Sequence, residues 1–162
     1  MMTIIGIDPG PTQSGVVKYS PDTQEILGAI VEENLEVLLW LERSEKDGTV
    51  LLIEKMESRG MPVSQGTLDT NIWVGRFQQI WLKRVTELVK LYTRSDVKLA
   101  LCGSKRAKSS NIRQAIIDVF GGKDKAIGKK KTPGKLYCIR GKEKEHCWSA
   151  LALCLTYLEG DY

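Results

Sequence analysis

The stretch TIIGIDPG, residues 3–10, decides how this chain is read. Thr3 to Asp8 reads as a short buried strand of mostly β-branched residues, which suit a pleated, covered surface. The strand ends on a carboxylate, Asp8, and Pro9-Gly10 turns the chain. Open sheets place their chemistry at the carboxyl ends of central strands. A second strand of the same kind, Val50–Glu54, is apolar until its last residue, which is again acidic. A strand apolar throughout is covered on both faces, hence central. If these two strands are neighbours, Asp8 and Glu54 reach one point. Two carboxylates that close repel, which raises a carboxyl pKa unless a cation neutralises them. Mg²⁺ suits such a site, because it takes few protein oxygens and keeps waters and substrate phosphate.

Working outward, Val16–Tyr19 and Ile26–Val31 read as two further strands around the turn Ser20-Pro21-Asp22. With the first strand they form an antiparallel meander. Asn34 reads as the N-cap of an amphipathic helix running to about Arg43, and Lys46-Asp47-Gly48 stops it. Residues 55–70 read as a loop. A long helix is expected from Asn71 to Tyr92, because Trp73, Phe77, Ile80, Trp81, Val85, Leu88 and Tyr92 recur at helical steps. Val97–Cys102 reads as a fifth strand and Ser109–Phe120 as a helix closed by Gly121-Gly122. Residues 123–144 read as basic loop and edge structure, and Glu145–Leu158 as a last helix. The order βββαβαβαα implies an α/β fold in one domain, residues 1–162. Its five-stranded mixed sheet has three antiparallel strands, then two parallel ones, with helices on both faces.

Composition is that of an ordinary globular chain, 42% hydrophobic and 27% charged. No apolar run is long enough to span a membrane, and the N-terminus lacks a secretory signal. Four cysteines without a CxxC pair, and a single histidine, argue against structural zinc and for reduced thiols in the cytoplasm. The net charge of +4 conceals an asymmetry: residues 94–144 hold 15 Lys/Arg against 4 Asp/Glu, and the rest holds 9 against 16. Such a block fits either a polyanionic partner or a merely soluble basic surface. Gly10 and Gly15 after Asp8 allow either close approach to phosphate or a hairpin turn. Neither GxxxxGK[ST] nor GxGxxG occurs, so no nucleotide cofactor is expected.

The last helix carries a third group of polar residues. His146 and Ser149 are three apart and share a face, and Glu145 and Glu143 stand just before them. His146 is either a solvated residue at a helix start or a metal ligand or proton-transfer group beside Asp8 and Glu54.

Taken together, IIGIDPGPTQSG, LLIEKM and HCWSALALCLT resemble the RuvC-type Holliday-junction resolvases of the ribonuclease H-like superfamily. RGMPV, WVGRF, CGSKRAKSSNIRQAIID, FGGKDKAIGKKKTPG and WSALALCLTYLE are similar to the bacteriophage and prophage group of that family. The resemblance covers nearly the whole chain. It implies a ribonuclease H-like fold and four active-site residues binding two Mg²⁺ ions, or Mn²⁺ in their place. It also implies a homodimer that nicks branched DNA, leaving 5′ phosphate and 3′ hydroxyl ends. The first acid falls on Asp8 and the second on Glu54. The last two, a DxxDA or HxxDA pattern, fall on His146 and Ser149. Ser149 departs from the pattern, which is usually acidic there, and Glu145 is the nearest residue able to supply the missing charge.

In that setting the basic block would carry DNA. Lys105, Arg106 and Lys108 precede a helix N-terminus that favours phosphate, and Lys129, Lys130 and Lys131 sit in a loop beside the last helix. Met56, Arg59 and Met61, just after Glu54, would meet a branch point, where apolar wedges unstack bases at a few kcal/mol per step. Trp73 and Phe77 would anchor the dimer. Two rival functions remain: a branched-DNA-binding protein with a degraded site, and a small actin-like ATPase, for which the chain is short and lacks a second phosphate loop.

Overall fold

The computed structural model describes residues 1–83 and 89–160. The chain opens with β1 (Thr3–Pro9), β2 (Gln13–Ser20) and β3 (Glu25–Glu33), followed by α1 (Asn34–Arg43) and β4 (Thr49–Glu54). Then come α2 (Gln65–Leu82), β5 (Val89–Tyr92), α3 (Arg94–Cys102) and α4 (Ser109–Val119). A short turn of helix, α5 (Lys123–Ala126), precedes the hairpin β6 (Gly128–Lys129) and β7 (Thr132–Pro133), and α6 (Glu145–Glu159) ends the chain.

The sheet has five strands in the order β3-β2-β1-β4-β5. β3, β2 and β1 are antiparallel neighbours, while β4 and β5 run parallel to β1. The mixed α/β sheet expected from the sequence is therefore present. Period-2 alternation sorts its side chains. Ile5, Ile7, Val16, Leu51 and Ile53 face α1 and α2, where Val37, Leu41, Val74, Phe77 and Trp81 complete one core. Ile4, Val17, Tyr19 and Leu52 face α6, and Val97, Ile112, Ile116, Leu136 and Ile139 from the later segments join that second core.

Two elements differ from the expectation. The fifth strand is Val89–Tyr92, and Val97–Cys102 belongs to α3. The reason is a capping box: the Thr93 hydroxyl accepts from Asp96 N at 3.2 Å and the Asp96 carboxylate accepts from Thr93 N at 2.7 Å. Such a reciprocal pair starts a helix at once, and outweighs the apolar run that suggested a strand. The long helix begins at Gln65, because Ser64 caps it by accepting from Thr67 N at 3.2 Å. It ends at Leu82, where buried Lys46 donates to the carbonyls of Ile80 and Trp81 at 3.3 and 3.4 Å. A cation at a helix C-terminus satisfies carbonyls that have no intrahelical partner. Of the expected stripe, Phe77 and Trp81 are core, Trp73 packs on Phe77 with ring centroids 5.8 Å apart, and Tyr92 is in β5. Val85 and Leu88 lie outside the described residues. The aromatic anchor proposed for a dimer is thus largely committed to the interior.

Candidate active site at the sheet edge

β1 and β4 are parallel neighbours with Ile7 opposite Ile53, so Asp8 and Glu54 follow at the same level. Both fall in the alternation that faces α6 rather than α1 and α2. The sheet alone therefore places two carboxylates side by side, as the sequence suggested.

What brings His146 to them is the absence of two β-carbons. α6 lies directly over β1 and β2. A Cβ on Gly15 would stand 2.5 Å from His146 Cβ, and one on Gly6 would run into the Ala150 carbonyl oxygen. Gly15 is inside β2, paired with Asp8, so neither of its two expected uses, phosphate cradle or turn, is the observed one. It is a point of close helix–strand approach. With α6 seated there, His146 Nδ1 and Asp8 Oδ2 are 2.8 Å apart. The Asp8 carboxylate, by that hydrogen bond, raises the pKa of the half-exposed imidazole.

Asn34 is a second correction. Glu33 holds the N-cap position of α1, and Asn34 is buried. Its amide donates to the Gly10 carbonyl at 2.9 Å and accepts from the Ser14 hydroxyl at 2.5 Å. The side chain clamps the turn that follows Asp8, and so helps hold the carboxylate in place.

Glu54 is the most perturbed carboxylate described. It is only 9% exposed. Burial, and then the neighbouring Asp8 charge, push its pKa up to about 7 against the opposing pull of Arg94, Arg59 and His146. Its Oε2 is buried without a hydrogen-bond partner. Arg94, the first residue of α3, brings Nη1 to 3.6 Å from that oxygen, within ion-pair range but beyond a hydrogen bond. The same guanidinium donates to the Ser149 hydroxyl at 3.3 Å and to the Ser109 hydroxyl at 3.3 Å. Sequence reasoning missed Arg94 because it fell in the connection between the helix expected to end at Tyr92 and the strand expected from Val97. The available signal was the T-x-x-D capping box at Thr93–Asp96, which starts a helix at the edge of the strand beside Glu54.

Asp8, Glu54 and His146 thus meet at the carboxyl ends of the central strands β1 and β4, and Ser149 reaches them through Arg94. Among the described residues, no three His, Cys, Asp or Glu side chains form a ready metal cage. Mg²⁺ does not ask for one: one or two carboxylates, waters and a phosphate are its usual shell. An under-satisfied, buried carboxylate oxygen beside a second carboxylate is a donor set that fits a divalent ion. Glu145, whose charge also favours a protonated His146, is exposed. With Arg94, Ser109, Ser110, Arg113, Trp148 and Ser149 it lines a cavity of about 250 Å³.

Much of the charged block is carried by elements that pack into the α6 core, α3 through Val97, α4 through Ile112 and Ile116, and α5 through Ala126. Lys105, Arg106 and Lys108 are exposed before α4. Lys129, Lys130 and Lys131 are exposed on the β6–β7 hairpin, an ordered ribbon where a loop was expected. Met56, Arg59 and Met61 are exposed and, with Glu54 and Arg94, line a second cavity of about 410 Å³, which shares Arg94 with the first. All four cysteines are free thiols, two of them buried. Among the described residues no helix is long and apolar enough to cross a membrane.

No family model and no curated protein sequence matches the chain. Solved structures do. The Thermus thermophilus RuvC structure aligns with a TM-score of 0.68 at 19% identity, over 98% of this chain and 94% of that one. T. thermophilus RuvC in complex with Holliday junction substrate aligns with a TM-score of 0.62 at 19% identity, over 98% and 93%. The chain therefore has a RuvC-like, ribonuclease H-like fold.

Proposed function

We propose that this protein is a metal-dependent endonuclease that nicks Holliday junctions or other branched DNA, of the RuvC-like group found in bacteriophages and prophages. It would act in the cytoplasm of the bacterial host. The observation that carries the reading is the meeting of Asp8, Glu54 and His146 at the carboxyl ends of the central strands of a RuvC-like sheet. The junction complex of the structural neighbour supports branched DNA as the partner.

Asp8 and Glu54 would hold the ion, with His146 beside them. Mg²⁺, or Mn²⁺ in its place, supplies Lewis-acid activation of water and of the phosphodiester. The chain's own part is positional and protonic. Asn34 and Ser14 fix the turn behind Asp8. Asp8 orients the His146 ring through Nδ1, which leaves Nε2 toward solvent to carry a proton to or from the reacting oxygens. The lysines of the α4 approach and of the hairpin hold the DNA arms through phosphates, which position without specifying sequence. Met56 and Met61 would stack at the branch point, with Arg59 on the backbone. Two chains would place two such sites on opposed strands. The exposed Leu68 and Ile72 of α2, 49% and 59% accessible, are the apolar surface on offer for that pairing.

The test is nicking of a labelled four-way junction in Mg²⁺ or Mn²⁺, with Asp8→Asn as control. Intact junction, fork and flap DNA in both metals would end the enzyme reading. One observation favours a second reading, a binder without activity: Ser149 is neutral and engaged by Arg94. Selective shift of junction over duplex DNA in EDTA, together with no nicking in any divalent metal, would establish it.

A further inference from the structure

We infer that Arg94 takes the place of a second divalent cation, so that each site holds a single ion and a built-in guanidinium. The inference rests on the metal-dependent reading above and departs from the two-ion arrangement that the family resemblance implies.

The acid that would hold a second ion is missing on the α6 side at position 149. Ser149 stands where an acid would supply charge, and its hydroxyl accepts from Arg94 Nη1. The oxygen of Glu54 that remains without a hydrogen bond faces the same guanidinium at 3.6 Å. Arg94 also donates to Ser109 at the start of α4. Neutral hydroxyls on two sides and a carboxylate on the third fix a cation here without any metal.

Its position is imposed by the scaffold. β5 ends at Tyr92, opposite Glu54 in register. Thr93 and Asp96 lock the first turn of α3 by their capping box, and Ser95 donates to Glu57 at 2.5 Å. Arg94 therefore leaves a rigid corner and lies on the ridge between the two cavities, lining both. A nucleic-acid backbone running from one cavity to the other passes over it. Guanidinium keeps further N–H donors free for phosphate in a planar fork.

Charge counting gives the same answer. With His146 neutral, Asp8 and Glu54, both ionised, and Arg94 leave a net charge of about −1. One divalent ion and one phosphodiester bring the whole to neutrality. Two ions would leave an excess of about two positive charges in a half-buried site, with Arg94 repelling one of them at close range.

The experiment counts bound Mn²⁺ in the full-length protein by the EPR signal of free Mn²⁺ across a titration, without DNA. Wild type is expected to bind one ion per chain, lost in Asp8→Asn. The double variant Arg94→Ala, Ser149→Asp is expected to bind two. Arg94→Gln, which removes the charge while keeping a shorter polar side chain, is expected to tighten the first ion by roughly tenfold, since it removes a nearby like charge. This single variant stands in if the double variant does not fold by circular dichroism. Two ions in wild type overturn the inference. So does one ion in a folded double variant, or unchanged or weaker affinity in Arg94→Gln. No ion in wild type would sink the metal-dependent reading itself, and this inference with it.

Discussion

Strands β1, β2 and β4 show one face to α1 and α2 and the other to α6, and different residues cover the two. Toward α1 and α2 the strands give Ile5, Ile7, Val16, Leu51 and Ile53, an unbroken apolar surface that meets Phe77 and Trp81. Toward α6 they give Ile4 and Leu52, then Gly6 and Gly15, then Asp8 and Glu54. The first face gains stability by filling volume. The second gives up side-chain volume in its middle so that a helix can approach, and gives up apolar character at its end. Neighbouring residues of one strand thus serve opposite ends, Ile7 packing and Asp8 chemistry.

The sharpest way to separate the faces is to change one residue on each. Asp8→Asn should reduce junction nicking by roughly a thousandfold, which corresponds to about 4 kcal/mol of transition-state stabilisation, while the melting temperature stays level or rises. Ile7→Val, one residue earlier, should cost about 0.5–1.5 kcal/mol of stability with nicking per folded molecule unchanged. Single-turnover cleavage and thermal melting on both variants measure this. Comparable nicking by Asp8→Asn and wild type would break the division.

The acidic end of the α6 face should also carry a pH signature. Burial first, and Asp8 second, raise Glu54 from 4.5 to about 7. Between those values the native state binds more protons than the unfolded state, so stability falls as pH rises. The Glu54 contribution is complete below pH 4.5 and gone above about pH 7, with a full size on the order of 3 kcal/mol. In EDTA, Glu54→Gln should therefore be more stable than wild type at pH 8, and the difference should shrink toward pH 5. Divalent metal should stabilise wild type at pH 8 and leave the glutamine variant little changed. A difference between the two proteins that does not vary with pH would mean that Glu54 is not held above its ordinary range.

Gly15→Ala tests the missing β-carbon. The added methyl meets His146 Cβ at 2.5 Å, and overpacking of this kind costs about 1–3 kcal/mol. The distinctive expectation is in activity. The variant should lose more nicking than its stability loss explains, because relief of the clash moves His146 away from Asp8. Chemical-shift perturbation of the single histidine reports that movement directly. An unmoved imidazole with normal nicking would show that helix approach is not what sets the site.

The α1/α2 face and the carboxylate pair were legible because each depends on local pattern. Apolar alternation fixes which way Ile5 and Ile7 point, and two strands ending in acid fix the neighbours Asp8 and Glu54 once a parallel pairing is assumed. The rest depends on contacts between distant segments. Gly15 looked like turn chemistry because its reason, His146, lies on another element. Asn34 looked like a cap because a helix does start there, but its partners Ser14 and Gly10 sit beside Asp8. Arg94 was passed over as part of a connection just before an apolar run that resembles a strand, although Thr93 and Asp96 carried the corrective signal.

The smallest expected effect concerns the charge carried on the α6 side. Helices α3, α4 and α5 of the basic block, residues 94–144, pack around α6, so phosphate binding should be confined to that layer. Lys130→Ala with Lys131→Ala at the hairpin tip should weaken junction binding by only a few-fold, since each phosphate contact is one of many. The salt dependence is more telling: removal of two phosphate contacts should reduce the slope of log affinity against log salt by about 1.8. Arg43→Ala, an exposed cation at the end of α1, should leave both affinity and slope unchanged. Gel shifts in EDTA over a range of salt concentrations measure all three proteins. An equal loss of slope from Arg43→Ala would mean that DNA reaches around to the α1/α2 side. The contrast between a packing face and a working face would then hold for chemistry but not for binding.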